Sequence, residues 1–174
     1  MKIGLISDTH GWLDPEVFEH FEVCDEIWHA GDVGNTEILD QLETFKPLVG
    51  VYGNIDGQDV RLRLPLSVRL ERGGVDIFMT HIGGAPGRLA LPIRRQIEDD
   101  APDLFICGHS HILKIVRDPV YDPMLHMNPG ASGRHGFHTL RTIVRFDVGE
   151  GIISNVEVIH LGDPNSDWRD QPLV

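Results

Sequence analysis

The sequence predicts a single α/β domain in which two β-sheets are covered by outer helices. Up to about residue 111, short apolar runs typical of buried strands alternate with segments of helical spacing. Beyond that point the pattern changes to strands and turns with no helix between them. Alternating β and α units followed by consecutive strands indicate sheets packed under helices. At 174 residues we expect one domain over residues 1–161 and a polar tail over residues 162–174.

The first third of the chain alternates strands and helices. Asp14 has the chemistry of a helix N-cap, with Pro15 at the first helical position, and Asn35 is suited to cap a second helix whose apolar residues share one face. We expect strands at residues 2–6, 26–30 and 47–52, helices at 15–21 and 36–45, and a polar loop at 56–63.

The remainder begins with one more β-β-α-β segment and ends in strands alone. We expect strands at residues 67–71, 75–80 and 104–107, a glycine turn at 73–74, a loop at 83–87, and a helix that starts at residue 89 or 92 and ends at 99. The final strands are expected at 112–117, 124–127, 139–146 and 152–159, with a hairpin signal at 149–151.

The composition of the chain argues against nucleic-acid binding and against insertion into a membrane. The formal net charge is −12, and an acidic chain is a poor general binder of nucleic acid because phosphate contacts need Lys and Arg. No apolar run is long enough to span a bilayer and the N-terminus lacks a signal-peptide pattern, so we expect a cytoplasmic protein. The two cysteines, Cys24 and Cys107, lie in apolar surroundings and are expected as buried thiols.

Polar side chains that can bind a metal follow five of the predicted strands, at the point where each strand ends. They are Asp8, His10, Asp32, Asn54, His81, His109 and His111. Ligands gather beyond the carboxyl ends of parallel strands, so these seven residues are expected to converge if their strands are neighbours. Glycine precedes three of them, which allows the backbone to turn sharply and approach closely.

This donor set suits two divalent ions. Two carboxylates, one amide oxygen and four imidazoles match Mn, Fe, Zn, Ni or Co, of which we expect Mn. Two ions with four ligands each need eight contacts, and the seven residues supply them if one carboxylate bridges. Two dications and two carboxylates leave a charge of about +2, which attracts a phosphoester anion and stabilises the extra charge of its transition state.

In their order and spacing, these residues resemble the motifs of the calcineurin-like metallophosphoesterases, in particular the small single-domain phosphodiesterase branch. The matching motifs are Asp8-Thr9-His10, Gly31-Asp32, Gly53-Asn54, His81 and Gly108-His109-Ser110-His111, together with a turn at Asn128-Pro129-Gly130. The resemblance implies a four-layer α-β-β-α sandwich with two packed sheets, formed by one metallophosphoesterase domain over residues 1–161.

The resemblance also implies a role for each candidate ligand. One metal would be held by Asp8, His10 and His111, the other by Asn54, His81 and His109, and Asp32 would bridge them. A hydroxide shared by the two ions would attack phosphorus in line with the leaving oxygen. Asp32, Asn54 and His81 are accordingly assigned to the catalytic centre as well as to the metal site.

One position departs from the family pattern. Many relatives carry a histidine directly after the asparagine of the third motif, where it helps to stabilise the transition state or to protonate the leaving group. This chain has Ile55 there, and an isoleucine can do neither. The small bacterial and archaeal branch often lacks that histidine too, so the departure bears on the substrate and not on the family.

Three other features have two interpretations each. The loop of residues 134–138 is either an ordinary solvated turn or a substrate loop in which Arg134 and His135 reach the phosphate. His29 is expected as a packed or supporting histidine rather than a ligand. Asp56 and Asp59, near Asn54, either support the site or serve as caps or solvated side chains.

The preferred function is hydrolysis of a small phosphoester, most specifically a phosphodiester, by a dinuclear phosphodiesterase or phosphatase. A non-catalytic protein-binding scaffold on the same fold, as in the related retromer subunit, is disfavoured because all seven ligands are present. A nuclease is disfavoured by the acidic charge and the absence of a basic stripe. We expect no membrane partner and no nucleic-acid partner, and a homo-oligomer is left open.

Overall fold

The computed structural model describes residues 1–164, over which it contains twelve strands and four helices. The strands are β1 (Lys2–Ile6), β2 (Glu26–His29), β3 (Leu48–Gly50), β4 (Ser67–Arg72), β5 (Val75–Thr80), β6 (Gly84–Ala85), β7 (Arg88–Leu89), β8 (Leu104–Ile106), β9 (Lys114–Arg117), β10 (Leu125–Asn128), β11 (Arg141–Gly149) and β12 (Ile152–Gly162). The helices are α1 (Glu16–Phe21), α2 (Thr36–Phe45), α3 (Gln58–Arg63) and α4 (Leu91–Ile97). No helix within residues 1–164 is long and apolar enough to cross a bilayer.

The strands form two five-stranded mixed sheets. One sheet has the order β12-β11-β1-β2-β3, in which β1, β2 and β3 are parallel and β11 is antiparallel to β1. The other has the order β4-β5-β8-β10-β9, in which β5, β8 and β10 are parallel and both edge strands are antiparallel. A small hairpin pairs β6 with β7. The predicted α/β class with two sheets is confirmed.

The core between the sheets is built from residues that alternate along each strand. Ile3, Leu5 and Trp28 of the first sheet pack with Leu104 and Ile106 of the second, and all five are fully buried. Burying a side chain of this size contributes about 1.5–3 kcal/mol, so this layer of contacts holds the two sheets face to face.

The opposite face of each sheet is covered by helices. Ile27 of β2 packs with Phe21 of α1 and Leu39 of α2, while Phe105 of β8 packs with Ile97 of α4. Because neighbouring residues of one strand point to opposite faces, each sheet has one face toward its partner and one toward helices. The layers therefore run α-β-β-α, as the family resemblance implied.

The predicted cap of α2 is confirmed, and the predicted cap of α1 differs by one residue. Asn35 Oδ1 accepts a hydrogen bond from the backbone N–H of Ile38 at 3.1 Å, and α2 has the predicted bounds. Asp14 Oδ1 accepts from the backbone N–H of Glu16 at 3.0 Å, but α1 begins at Glu16 with Pro15 as its N-cap, so Asp14 lies one residue before the cap position that the sequence assigned to it. Each of these hydrogen bonds satisfies a backbone donor that the first helical turn leaves unpaired.

The prediction of a loop at residues 56–63 was wrong, because Gln58–Arg63 forms α3. Val60 is fully buried beside α2, and Arg61 and Arg63 lie in the last turn, where cations oppose the negative end of the helix dipole. A six-residue helix with one buried residue has too few apolar positions to show a period in the sequence.

Other boundaries differ by a few residues. The expected loop at 83–87 contains the first strand of the β6–β7 hairpin and the turn that joins it to the second. The penultimate strand runs to Gly149 and not to 146, and β12 extends to Gly162, a residue assigned to the tail from sequence. Residues 165–174, with Trp168, lie outside the described range, so the tail stays a prediction.

Candidate metal centre

The ends of five strands meet at one edge of the sandwich. Asp8 N donates to Gly31 O at 3.0 Å and joins the ends of β1 and β2, while Gly108 N donates to His81 O at 3.0 Å and joins the ends of β5 and β8. His109 N donates to Asp8 Oδ2 at 3.2 Å across the two sheets. The candidate residues therefore converge from both sheets, whereas the sequence left open which of their strands are neighbours.

The first group of potential ligands consists of Asp8, His10 and His111, whose nearest ligand atoms lie within 4.8 Å of one another. His111 Nε2 is 3.2 Å from Asp8 Oδ1 and 3.2 Å from His10 Nε2. Ligand atoms placed about 2.1 Å from one ion in a tetrahedron are about 3.4 Å apart, so these separations suit a shared ion.

The second group consists of Asp32, His81 and His109, again within 4.8 Å of one another. Asp32 Oδ2 lies 3.2 Å from His81 Nε2 and 3.8 Å from His10 Nε2, which belongs to the first group. Asp32 thus faces both groups, which is the geometry that a bridging carboxylate needs.

Two buried atoms, one in each ligand group, show that the site suits cations. Asp8 Oδ1 and His81 Nε2 are buried and have no hydrogen-bond partner within residues 1–164. A buried polar atom without a partner is costly, and a coordinated ion would remove that cost. Together with a donor set of two carboxylates and four imidazoles, these orphaned atoms indicate that the residues fit divalent metal ions.

The His81 ring is held by the main chain. His81 Nδ1 lies 2.8 Å from the carbonyl oxygen of Ala30, which can only accept, so Nδ1 carries the hydrogen and Nε2 is free toward Asp32. Burial lowers the pKa of His81, but the nearby Asp32 and Asp8 carboxylates outweigh it and the pKa is raised overall. Burial likewise raises the pKa of Asp32, yet His81 and the Ile55 N–H bring it below its ordinary value.

Five of the candidate ligands have a left-handed backbone conformation. Their φ angles are 55° at Asp8, 49° at His10, 54° at Asp32, 66° at His109 and 57° at His111. Residues other than glycine rarely have positive φ, and such residues concentrate at functional sites because the surrounding structure must hold them there. The strands β1, β2 and β8 therefore end in sharp turns that direct the side chains after them into the site.

Two glycines allow the close approach that the sequence predicted. A Cβ atom at Gly53 would lie 2.0 Å from Asp32 Oδ1, and one at Gly108 would lie 2.1 Å from Ser7 Oγ and 2.8 Å from Asp8 Oδ2. Any side chain at either position would displace a carboxylate of the site.

Asp56 organises the loops that follow β2 and β3. This buried carboxylate accepts hydrogen bonds from the backbone N–H groups of Gly53 at 2.7 Å, Gly34 at 2.7 Å and Val33 at 3.2 Å. It therefore supports the backbone that presents Asp32 and Asn54, which resolves the two interpretations in favour of a supporting role.

His29 is buried and lies outside both ligand groups. Its ring contacts Thr9 Oγ1 at 3.0 Å, and its Nδ1 accepts from the backbone N–H of Gly31 at 3.1 Å. Burial lowers the pKa of His29 to about 4, so the ring is neutral and supports the turns after β1 and β2.

Asn54 lies at the rim of the centre. It lines an open cavity of about 460 Å³ together with His10, Asp32 and His109, and Ile55 lines the same cavity. A second cavity of about 500 Å³ adjoins Asn54 and His81 and has largely apolar walls. Coordination by the Asn54 amide stays a prediction, while its position beside both cavities is a feature of the structure.

The predicted substrate loop is only partly directed at the centre. The guanidinium of Arg134 lies 4.1 Å from the centroid of the Trp12 ring, and the His135 ring is 6.4 Å from that of His10. The described cavity next to the ligands is lined by Gly136, Phe137 and His138 rather than by Arg134 or His135. A role for Arg134 and His135 in substrate binding therefore stays a prediction.

Sequence reasoning assigned no role to His138 in supporting a ligand. Its Nδ1 lies 3.1 Å from Nδ1 of His111, and its Nε2 lies 3.0 Å from the carbonyl oxygen of Gly133. No motif surrounds His138, and its position in a polar loop after the motif at residues 128–130 was the one available signal.

Comparison with known proteins finds a matching family model and relatives over most of this chain. The family model of the calcineurin-like phosphoesterase superfamily domain matches residues 1–151. A probable metallophosphoesterase from Methanocaldococcus jannaschii is 36% identical over 137 residues, which cover 75% of this chain and 68% of that protein. A phosphodiesterase from the same organism is 27% identical over 147 residues, which cover 75% of this chain and 83% of that protein.

Solved structures show the same fold. A novel archaeal phosphodiesterase superposes with a TM-score of 0.71 at 23% identity, covering 92% of this chain and all of that one. Vps29 of Chaetomium thermophilum superposes with a TM-score of 0.72 at 17% identity, covering 92% of this chain and 97% of that one.

Proposed function

The chain belongs to the calcineurin-like phosphoesterase superfamily, and from this we propose that it is a dinuclear metal-dependent hydrolase of small phosphodiesters. The observation that carries the proposal is the pair of ligand groups that share one edge, with Asp32 facing both and two orphaned buried atoms between them. These unpaired atoms support metal binding, and the activity screen described below separates a catalytic centre from a metal-binding scaffold.

The residues have distinct proposed roles. Asp8, His10 and His111 would hold one ion, His81, His109 and Asn54 the other, and Asp32 would bridge. When bound, two divalent ions would supply a water that is deprotonated at neutral pH and a positive charge facing the phosphoryl oxygens. Asp8 and Asp32 together carry two negative charges, so a net charge of about +2 would remain to attract an anionic ester.

The orientation of the histidines serves this arrangement. The main-chain bond from His81 Nδ1 to Ala30 keeps Nε2 available, so the ring need not reorganise when an ion binds. The turns with positive φ also reduce the reorganisation that metal binding would require, because they hold His10, His109 and His111 at fixed positions around the two carboxylates.

A phosphodiester fits the surroundings better than a compact inorganic or alkyl phosphate. The cavity at the ligands and the neighbouring cavity meet at Asn54, and together they leave room for two ester groups. Ile55, Ile112 and Phe137 present exposed apolar surface in the first cavity. An aryl or nucleoside substituent could be covered by such a rim, with Arg134 and His135 proposed to reach the phosphate from the adjacent loop.

The proposal is tested by metal analysis of untagged protein followed by an activity screen. Protein stripped of metal is reloaded separately with Mn, Fe, Zn, Ni or Co and assayed against aryl phosphodiesters, nucleotide-type diesters, phosphomonoesters and DNA. We expect turnover of diesters with Mn among the active metals, and little turnover of DNA because of the acidic surface. Two bound ions per chain without turnover of any phosphoester would instead favour a protein-binding scaffold.

A further inference from the structure

We propose that His138 is a positioning residue that fixes the tautomer and ring orientation of the metal ligand His111. The inference rests on the proposed metal centre, but it concerns the ring nitrogens of this chain and is tested separately from catalysis.

The carbonyl oxygen of Gly133 fixes which nitrogen donates in each hydrogen bond of His138 and His111. The carbonyl oxygen of Gly133 lies 3.0 Å from His138 Nε2 and can only accept, so His138 Nε2 carries a hydrogen. In a neutral imidazole the other nitrogen then has a lone pair, and His138 Nδ1 accepts from His111 Nδ1 at 3.1 Å. His111 Nε2 is consequently left with its lone pair.

That lone pair lies where a ligand is needed. His111 Nε2 is 3.2 Å from Asp8 Oδ1, the buried oxygen that has no hydrogen-bond partner within residues 1–164. The opposite tautomer of His111 would place a hydrogen on Nε2 and block coordination at that atom. His138 therefore selects the tautomer that can bind metal, as a carbonyl does for His81.

The backbone of the loop that contains Gly133 and His138 also connects His138 to Asp8. Gly133, whose carbonyl holds His138, also donates its N–H to the carbonyl oxygen of Asp8 at 3.0 Å. The contacts thus run from Asp8 through Gly133 and His138 to His111 and back to Asp8. Hydrogen bonds link the first four members, and His111 Nε2 faces Asp8 Oδ1 at 3.2 Å without bonding it, so the loop couples the position of the ligand ring to the main chain of Asp8.

Gly136 shows how closely the loop covers this pair. Its φ is +135°, and a Cβ atom there would lie 2.2 Å from His111 Nδ1 and 3.0 Å from His138 Nδ1. The loop therefore passes directly over the hydrogen bond between the two rings. His135 differs, because within the described residues it has only a distant edge contact with His10.

The first test is direct observation of the ring tautomers in metal-free protein by nitrogen-15 NMR, above the pH at which the rings are protonated. We expect His111 to carry its hydrogen on Nδ1 and His138 on Nε2. The reverse tautomer at His111 would overturn the proposal, whatever the activity of the loaded protein.

The second test measures metal affinity by calorimetric titration of the full chain with Mn²⁺. His138→Ala should weaken one of two binding events by about 10–100-fold and leave the other near its original value. His138→Asn keeps an acceptor toward His111 Nδ1 and should recover most of the loss, while Phe137→Ala, in the same loop, should bind as the unmodified protein does.

Melting curves of the metal-free variants separate positioning from folding. If His138→Ala melts as the unmodified protein does and binds both ions equally well, the proposal is overturned. If it unfolds, the comparison of His138→Asn with Phe137→Ala and the tautomer of His111 decide the matter. Loss of phosphodiesterase activity in the screen above would not affect either readout.

Discussion

The backbone N–H of Ile55 donates a hydrogen bond to Asp32 Oδ1 at 3.1 Å, while the Ile55 side chain is 47% exposed in the cavity beside the ligands. The main chain at this position supports the carboxylate that faces both ligand groups, and the side chain faces the space where a substrate would lie. Because the two functions belong to different atoms, the side chain can be exchanged without removing the support for Asp32.

Ile55 should make the rate depend steeply on the leaving group. General acid catalysis typically contributes about 10²–10⁴-fold, and an isoleucine supplies none of it. We expect a steep decrease in kcat/KM as the pKa of the leaving group rises across a series of aryl diesters. Ile55→His should flatten that dependence and accelerate esters with poor leaving groups most.

The control for this variant is Ile55→Gln, which is polar and of similar size but is no acid. It should keep the steep dependence. A shallow dependence in the unmodified protein would mean that another group, such as His135 or His138, already supplies the proton.

Asp32→Asn should reduce metal content and activity together. The carboxylate faces both ligand groups, so its neutralisation removes negative charge from both positions at once. We expect fewer than two ions per chain by elemental analysis and a loss of activity. Asp59→Asn changes an exposed carboxylate nearby and should retain both ions, whereas full metal retention in Asp32→Asn would contradict bridging.

Arg134 and His135 should contribute to substrate binding and not to metal binding. Charge-assisted contacts contribute about 1.5–3 kcal/mol, so Arg134→Ala with His135→Ala should lower kcat/KM by roughly 10–100-fold while metal content stays constant. Arg94→Ala removes an exposed arginine on α4 and serves as the control. Unchanged kinetics of the double variant would identify the loop as an ordinary solvated turn.

Metal removal should lower the thermal stability. An ion at 100 times its Kd stabilises the folded state by about 2.7 kcal/mol, which raises Tm by roughly 5–10 °C in a chain of this size. Bound ions would give the buried Asp8 Oδ1 and His81 Nε2 a partner, so we expect a concentration-dependent rise in Tm by calorimetry. Ca²⁺, which prefers oxygen ligands, should raise Tm less than Mn²⁺ does. Equal shifts with both ions would argue against an imidazole-rich site.

Asp14 should matter to folding beyond its hydrogen bond at the start of α1. Its carboxylate forms an ion pair with Arg141, and the two residues are 8% and 4% exposed. Removing one partner of a buried pair typically costs about 3–5 kcal/mol, compared with 0.5–2 kcal/mol for a lost cap alone. Asp14→Asn, which keeps a capping oxygen, should therefore still lower the free energy of unfolding by more than about 2 kcal/mol.

Urea unfolding of Asp14→Asn measures this effect, and Glu157→Ala provides the comparison. Glu157 pairs with Arg145 at the surface, where an ion pair contributes about 0–1 kcal/mol. A similar small change in both variants would show that the Asp14–Arg141 pair adds nothing beyond the cap.

Much of the site could be predicted from the sequence because coordination chemistry depends on residue type. Asp8, His10 and His111 were assigned together from a resemblance of motifs, and they form one ligand group in the structure. Two sheets under outer helices were predicted from the order of strands and helices along the chain, and the family resemblance implied the four layers. The helix α2 was predicted because its cap and apolar face are both local signals.

What only the tertiary structure decided depends on contacts between distant segments. Asp adopts a left-handed φ more readily than most residues, but this preference is weak, and the surrounding structure decides that Asp8 and Asp32 do so here. The helix at Gln58–Arg63 forms because Val60 is buried against a different element. His138 gains its place from a hydrogen bond to a ring 27 positions earlier in the chain. The sequence by itself therefore determined which side chains could bind metal, whereas the fold determined which ring nitrogens of His81 and His111 face the candidate metal centre, because hydrogen bonds between remote segments set that choice.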